Sequence, residues 1–215
     1  VIWAEEKQEA WEKQETEYWM EFFKSLLPKL NGNKALEVGT ASGYFANILT
    51  LAGYEVTAVD YSPAMITEAK RVSQQLELAV TYYVMDAQQL EFANDTFDLV
   101  FTRLMTWSLP DPSRFYRSTF NVLKSGGLLL NFDGDFGDIT FTQDGHERYP
   151  ADIMEEANTI KSQLSISKVK RPIADVNMLI GIGFKDVSFD LQAQNNILHL
   201  DAQDSSLFEV RAVKP

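Results

Sequence analysis

Lys34-Ala-Leu-Glu-Val-Gly-Thr-Ala-Ser-Gly43 is the stretch that decides the fold. A short apolar run carries one acid, Glu37, and breaks at the small-residue turn Gly39-Thr40-Ala41-Ser42-Gly43. An apolar helix opens at Tyr44. A second strand, Tyr54-Glu-Val-Thr-Ala-Val59, ends in Asp60. The pattern reads as a βαβ unit with a glycine-rich first turn and an acid at the end of its second strand. Such a unit holds an adenosine-containing ligand. Small residues let the backbone come close, and the acid accepts hydrogen bonds from ribose hydroxyls.

Two ligand classes compete for the pattern. A dinucleotide site wants G-x-G-x-x-G, with a helix N-terminus aimed at a pyrophosphate. Here the spacing is Gly39-x-Ala41-x-Gly43, one residue tighter. Glu37, two residues before the first glycine, would repel a pyrophosphate and suits a ligand carrying an ammonium and a sulfonium. At these residues the chain resembles the class I S-adenosylmethionine (SAM) methyltransferases, whose motif reads roughly [DE]-x-G-x-G-x-G, with Ala41 in place of the middle glycine.

Further segments carry the resemblance in order. Asp60-Tyr61-Ser62-Pro63-Ala64-Met65 resembles the family's segment after the second strand, and Val84-Met85-Asp86-Ala87-Gln88 its third strand end. Phe97 to Arg103 resembles the fourth strand, followed by Leu104 to Pro112. A helix from Phe115 to Leu123 leads into Lys124-Ser-Gly126-Gly127 and the strand Leu128–Phe132. The likeness is close over residues 34 to 133 and is nearest to the ubiquinone/menaquinone-methyltransferase-like branch, which acts on small molecules.

Composition sets bounds on this reading. The 215 residues suffice for one sizeable domain with a cap. With no cysteine there are no disulfides or thiolate metal sites, which fits a cytoplasmic location. The opening Val1-Ile-Trp-Ala-Glu-Glu-Lys7 has no apolar h-region, and no run approaches a membrane helix in length. The net charge of −12 disfavours nucleic acid or an anionic membrane as partner, because affinity for phosphate comes from cations. The expected partner is a small molecule, with the protein a monomer or homodimer.

The expected architecture is a doubly wound α/β Rossmann-like sheet of seven strands, mostly parallel with the last antiparallel, in one domain over residues 1–215. Residues 3 to 27 read as an amphipathic helix, from Trp11, Tyr18, Phe22 and Leu26 at helical spacing, so that 1–30 form an N-terminal helical cap. Strands fall near 34–38, 54–59, 80–85, 97–102 and 127–132, alternating with helices. The alternation breaks from Asp133 to Arg171, which the resemblance makes a lid insertion after the fifth strand, with a helix near 151–164. A helix near 175–182 and strands near 186–191 and 207–213 follow, with His199 placed at a strand edge.

The resemblance also implies roles. Glu37 orients the methionine end of SAM, and Gly39, Thr40, Ala41, Ser42 and Gly43 form the wall beneath it. Asp60 binds the ribose hydroxyls, Tyr61 and Met65 enclose the adenine, and Asp86 and Ala87 meet its edge. Thr102, Arg103 and Trp107 line the methionine side near the transferred methyl. The activity implied is methyl transfer to O, N or C of a small acceptor, which needs positioning more than a fixed triad. His146 and Tyr18 are the candidate catalytic groups, with Trp19 or Tyr44 closing over the ligand. Asp133, Asp135 and Asp138 have the composition of a Mg²⁺ or Ca²⁺ site or of a receptor for an amine, yet Asp-Gly pairs are ordinary turn formers, and no metal is expected. A SAM-binding module without turnover and, less favoured, a nicotinamide-dependent oxidoreductase remain alternatives.

Overall fold

The computed structural model describes residue 11 and residues 14–144, 149–201 and 207–215. The chain enters through helix α1 (Gln14–Leu26) and reaches strand β1 (Lys34–Val38). Helix α2 (Tyr44–Leu51), β2 (Glu55–Asp60), α3 (Pro63–Gln75) and β3 (Val80–Val84) complete the first half. The second half runs through β4 (Phe97–Arg103), α4 (Pro112–Val122) and β5 (Leu123–Gly134). After β5 come α5 (Ala151–Gln163), α6 (Ile173–Ile182), β6 (Lys185–Asp190), α7 (Ala193–Leu198) and β7 (Leu207–Val213). Among the described residues no helix is long and apolar enough to cross a membrane.

The strands form one sheet in the order β3-β2-β1-β4-β5-β7-β6. The first five are parallel, and β7 runs antiparallel between β5 and β6. The expected Rossmann-like sheet is therefore present with its reversed last strand. Local chemistry starts the helices where they start. Ser62 caps α3 by accepting from the Met65 N–H, and Pro63 occupies its first turn. Asp111 and Pro112 do the same for α4. Gly183, at φ +114, ends α6 in the left-handed conformation.

Both faces of the sheet are covered. On one face Trp19 and Phe23 of α1 meet Phe45 of α2, Phe101 of β4 and Phe132 of β5, all with little or no exposure. The Trp19 ring centroid lies 5.1 Å from Phe45 and 5.0 Å from Phe132, edge to face in both cases. On the other face Phe115 and Tyr116 of α4 and Leu179 of α6 pack on Leu36, Val100 and Leu129. Trp19 therefore belongs to the core, and its expected role of closing over a ligand is not the one the fold assigns.

Three expectations change in detail. The first helix is described from Gln14, and the earlier part of the expected cap lies outside the described residues. Asp133 and Gly134 belong to β5, paired with Phe208 and Leu207 of β7, so the irregular segment begins after them. His199, expected at a strand edge, instead ends the short helix α7 at φ 54. Six residues are too few for a helical period to show in sequence.

The turn after β1 is built by three left-handed residues, Gly39 (φ +78), Ala41 (φ +47) and Gly43 (φ +83). A Cβ on Gly43 would meet the Tyr82 Oη at 2.5 Å and the Ala69 Cβ at 3.1 Å, so α3 and β3 press directly on the turn. Ala41 has a side chain in a conformation that favours glycine. Replacing Ala41→Gly relieves that strain and should raise stability by about 1 kcal/mol, read as a higher urea midpoint with unchanged slope. Trp19→Ala should lower it by about 3–5 kcal/mol in the same measurement, through the cavity left among the phenylalanines.

Candidate functional site

Parallel strands end at one edge of the sheet, and the chain leaves that edge twice with an acid, Asp60 at the end of β2 and Asp86 after β3. The turn after β1 is tied to β2, because the Gly39 and Thr40 N–H groups both donate to the Val59 carbonyl at 2.9 and 3.0 Å. Asp60, at the end of β2, then accepts from the Ala41 N–H at 2.8 Å and the Ser62 N–H at 2.9 Å. Its carboxylate is held in place by backbone donors from both adjoining turns. Asp86, after β3, accepts from the Gln88 N–H at 2.8 Å and remains exposed.

A cleft of about 460 Å³ opens between these turns. Val38, Gly39, Val59, Asp60 and Tyr61 line one side, Met85 to Gln88 the next, and Met105 with Ser108 to Pro110 the far wall. A Cβ on Gly39 would meet the Met105 Cγ at 2.7 Å, so only glycine lets the β1 turn approach that wall. Tyr61 is 78% exposed at the mouth, an unusual position for an aromatic ring. Among the described residues, the side chains that line the cleft include two carboxylates and no cation.

Glu37 lies within β1 and is 3% exposed. Burial pushes its pKa up to about 8, against the lowering effect of the Thr40 hydroxyl that donates to it, and Asp60 adds a further rise. The other buried acids have cationic partners: Asp98 pairs with Lys124, Asp133 and Asp175 with Arg171, and Glu209 with Arg211. Among the described residues no cation lies within ion-pair distance of Glu37. An unpaired buried carboxylate is costly in the free protein, and a ligand ammonium would relieve it.

The structure brings Gly39, Asp60, Tyr61, Asp86 and Ala87 together on the cleft surface. Glu37, Thr40, Ala41, Ser42 and Gly43 form the strand end and turn that carry it without lining it. Met65 sits half-buried in the first turn of α3, outside the lining. Thr102 is buried, its hydroxyl donating to the Val38 carbonyl at 2.8 Å. Arg103 donates to the Gln194 carboxamide at 3.1 and 3.2 Å and lies over the Phe45 ring, and burial holds its pKa below the usual arginine value. Trp107 sits edge-on between Phe136 and Phe141.

The candidate catalytic groups divide differently. Tyr18 packs against His199 with ring centroids 4.5 Å apart, and neither lines the cleft. His146 lies outside the described residues. Tyr44 is buried against the Thr16 hydroxyl at 3.0 Å, and burial pushes its pKa up to about 12. The acids considered as a cation site do not converge: Asp133 is buried on Arg171, whereas Asp135 and Asp138 face Lys170. Sequence reading missed the far wall of the cleft, Met105 and Ser108 to Pro110, and missed Arg171 altogether. The wall residues are apolar or small and carry no chemical signature, although Leu109-Pro110 just ahead of a capped helix marks a fixed turn.

Comparison with known proteins agrees with this geometry. Residues 36–131 match the family model described as a methyltransferase domain. The chain is 31% identical over 101 residues to the ubiquinone biosynthesis O-methyltransferase of Coxiella burnetii (strain RSA 493 / Nine Mile phase I), covering 47% of this chain and 43% of that protein. The corresponding enzyme of Xanthomonas campestris pv. campestris (strain 8004) is 31% identical over 102 residues with the same coverage. The chain thus spans less than half the length of these curated relatives. Among solved structures, Haemonchus contortus phosphoethanolamine N-methyltransferase 2 in complex with S-adenosyl-L-methionine superposes with a TM-score of 0.65 at 20% identity, over 92% of this chain and 52% of that one. A Haloferax volcanii putative methyltransferase, solved with the Trm112 methyltransferase activator, gives 0.67 at 16% identity over 100% and 96%. These two likenesses are of fold. Residues 36–131 are thus similar to a methyltransferase domain, and the sheet order and glycine turn are in accord with that match.

Proposed function

We propose that the protein is a SAM-dependent methyltransferase that transfers a methyl group to O, N or C of a small acceptor. The observation that carries the reading is Glu37, a buried carboxylate without a cation beside a cleft whose charged groups are acidic. A dinucleotide brings a pyrophosphate to the β1 turn, where the Gly39-x-Ala41-x-Gly43 spacing is one residue too tight and Glu37 would repel it. SAM brings an ammonium, ribose hydroxyls and an adenine amino group, and each is a donor that a carboxylate can accept.

Each residue then has a defined task. Glu37 and the 39–43 turn hold the methionine end, and Asp60, already oriented by two backbone donors, takes the ribose hydroxyls. Tyr61 covers the adenine, and Asp86 with the Ala87 N–H reads its edge. SAM supplies an activated methyl on a sulfonium. The chain's contribution is alignment and exclusion of water, which is worth roughly 7–11 kcal/mol when two reactants are held in line. Phe136 and Phe141, packed on Trp107, belong to the segment read as a lid over the acceptor, and their contact with the segment after β4 supports that reading. The names of the ubiquinone biosynthesis O-methyltransferases support a small acceptor. The chain's net charge of −12 supports partners other than nucleic acid.

Calorimetric titration with S-adenosylhomocysteine should give micromolar binding. Asp60→Ala should weaken it by about 10–100-fold, the equivalent of a lost hydrogen bond to a charged group. No binding to the wild type sinks the proposal. Binding without methyl transfer to any of a panel of phenols, amines and acids would favour a SAM-binding module.

Glu37 also makes the ligand-free protein sensitive to pH. Its folded pKa is raised from 4.5 to about 8, so its contribution to stability is fully present below pH 4.5 and is lost as pH rises through 8. Glu37→Gln should therefore raise the melting temperature of the ligand-free protein at about pH 8.5 and change it little at about pH 4.5. The same variant should bind S-adenosylhomocysteine more weakly. Its affinity for 5′-methylthioadenosine, which lacks the ammonium, should match wild type. Equal loss for both ligands would contradict the assigned role.

A further inference from the structure

Arg171 is a buried guanidinium with every donor engaged. Its Nε and one Nη2 hydrogen go to the two Asp175 oxygens, each at 2.8 Å. The other Nη2 hydrogen goes to the Thr106 Oγ1 at 2.7 Å. Nη1 reaches the Asp133 Oδ2 at 3.0 Å and the Gly134 carbonyl at 3.3 Å. Five N–H groups thus find five acceptor contacts, which is all a guanidinium can make. Asp133, Asp175 and Thr106 have no exposed surface.

The far end of this network is the wall of the cleft. The Thr106 hydroxyl donates to the Asp133 Oδ2, which also accepts the Trp107 N–H at 2.8 Å. Asn131 donates to the Thr106 Oγ1 at 3.0 Å. Thr106 and Trp107 lie between Met105 and Ser108, both of which line the cleft. A short segment that leaves β4 through Leu104, in the left-handed conformation at φ 53, is therefore pinned at its centre by a charge from the segment after β5.

We propose that Arg171 is a positioning residue for the cofactor: through Asp133 and Thr106 it fixes the 105–110 wall, and so couples the segment after β5 to the affinity of the cleft. The inference rests on the reading of the cleft as the SAM site. Removing one member of such a network strands the others in a dry interior. It gives Arg171 an effect on a site it does not touch.

The test uses the whole chain and S-adenosylhomocysteine. Thr106→Val removes the bridging hydroxyl at nearly constant shape, and Arg171→Lys keeps the charge without the fork. Both should weaken binding by about tenfold, and Thr106→Val should speed amide exchange at Trp107 and Ser108. Thr106→Ser, which keeps the hydroxyl, should bind within about twofold of wild type. Leu179→Ala, a core cavity in α6, should lower the melting temperature but leave affinity within about twofold. Wild-type affinity in Thr106→Val, or the same loss in Leu179→Ala, overturns the inference while the cofactor reading stands. Should Arg171→Lys not fold, Thr106→Val decides alone. Absence of binding to the wild type would instead remove the reading of the cleft itself.

Discussion

Val38 lies opposite Val59 on one side and Thr102 on the other, and from this parallel register the site follows. Parallel neighbours end at the same edge of the sheet, so the turns after β1, β2, β3 and β4 are forced together. Each contributes what its position allows. The β1 turn must pass close to Met105, Tyr82 and Ala69, and glycine at 39 and 43 permits that approach. The β2 turn places Asp60 where the Ala41 and Ser62 amides both reach it.

Electrostatics separates the buried acids that have a cationic partner from Glu37. Asp98 joins β4 to Lys124 and to the Lys34 N–H, and Asp133 and Asp175 surround Arg171. In each case a cation or a set of donors meets the carboxylate inside the protein. Burial raises the pKa of Asp133, but Arg171, Thr106 and the Gly134 N–H pull against it. Glu37 has the Thr40 hydroxyl and no cation among the described residues. Under the proposed function, stability is given up there for binding.

The two sides of the sheet serve the cleft differently. Trp19 and Phe23 build an aromatic layer with Phe45 of α2, Phe101 of β4 and Phe132 of β5. The other side carries the polar network of Tyr116, Asn131, Thr106, Asp133, Arg171 and Asp175. Apolar packing holds the strands, and directional bonds aim the segment that leaves β4. Trp107 receives both, with its N–H on Asp133, its indole N–H on the Leu104 carbonyl, and its ring against Phe136 and Phe141.

The local pattern was enough to establish the βαβ alternation, the glycine turn and the acids at strand ends, because each depends on neighbours a few residues away. Apolar runs of strand length, small residues at a turn and capping pairs such as Ser62-Pro63 and Asp111-Pro112 are all short-range signals. Gly39 and Asp60 stood out in that pattern, Tyr61, Asp86 and Ala87 through the family resemblance, and all five line the cleft. Contacts between distant residues were decided only by the tertiary structure. Nothing in Arg171 announces that it will meet Thr106 across 65 positions, and Trp19 has the same helical spacing whether it roofs a ligand or fills a core. Asp133, Asp135 and Asp138 look alike in sequence, yet strand pairing buries the first and leaves the others beside Lys170. Desolvation of Glu37 is likewise a property of the assembled sheet, since a carboxylate acquires a raised pKa only when the packing around it excludes water.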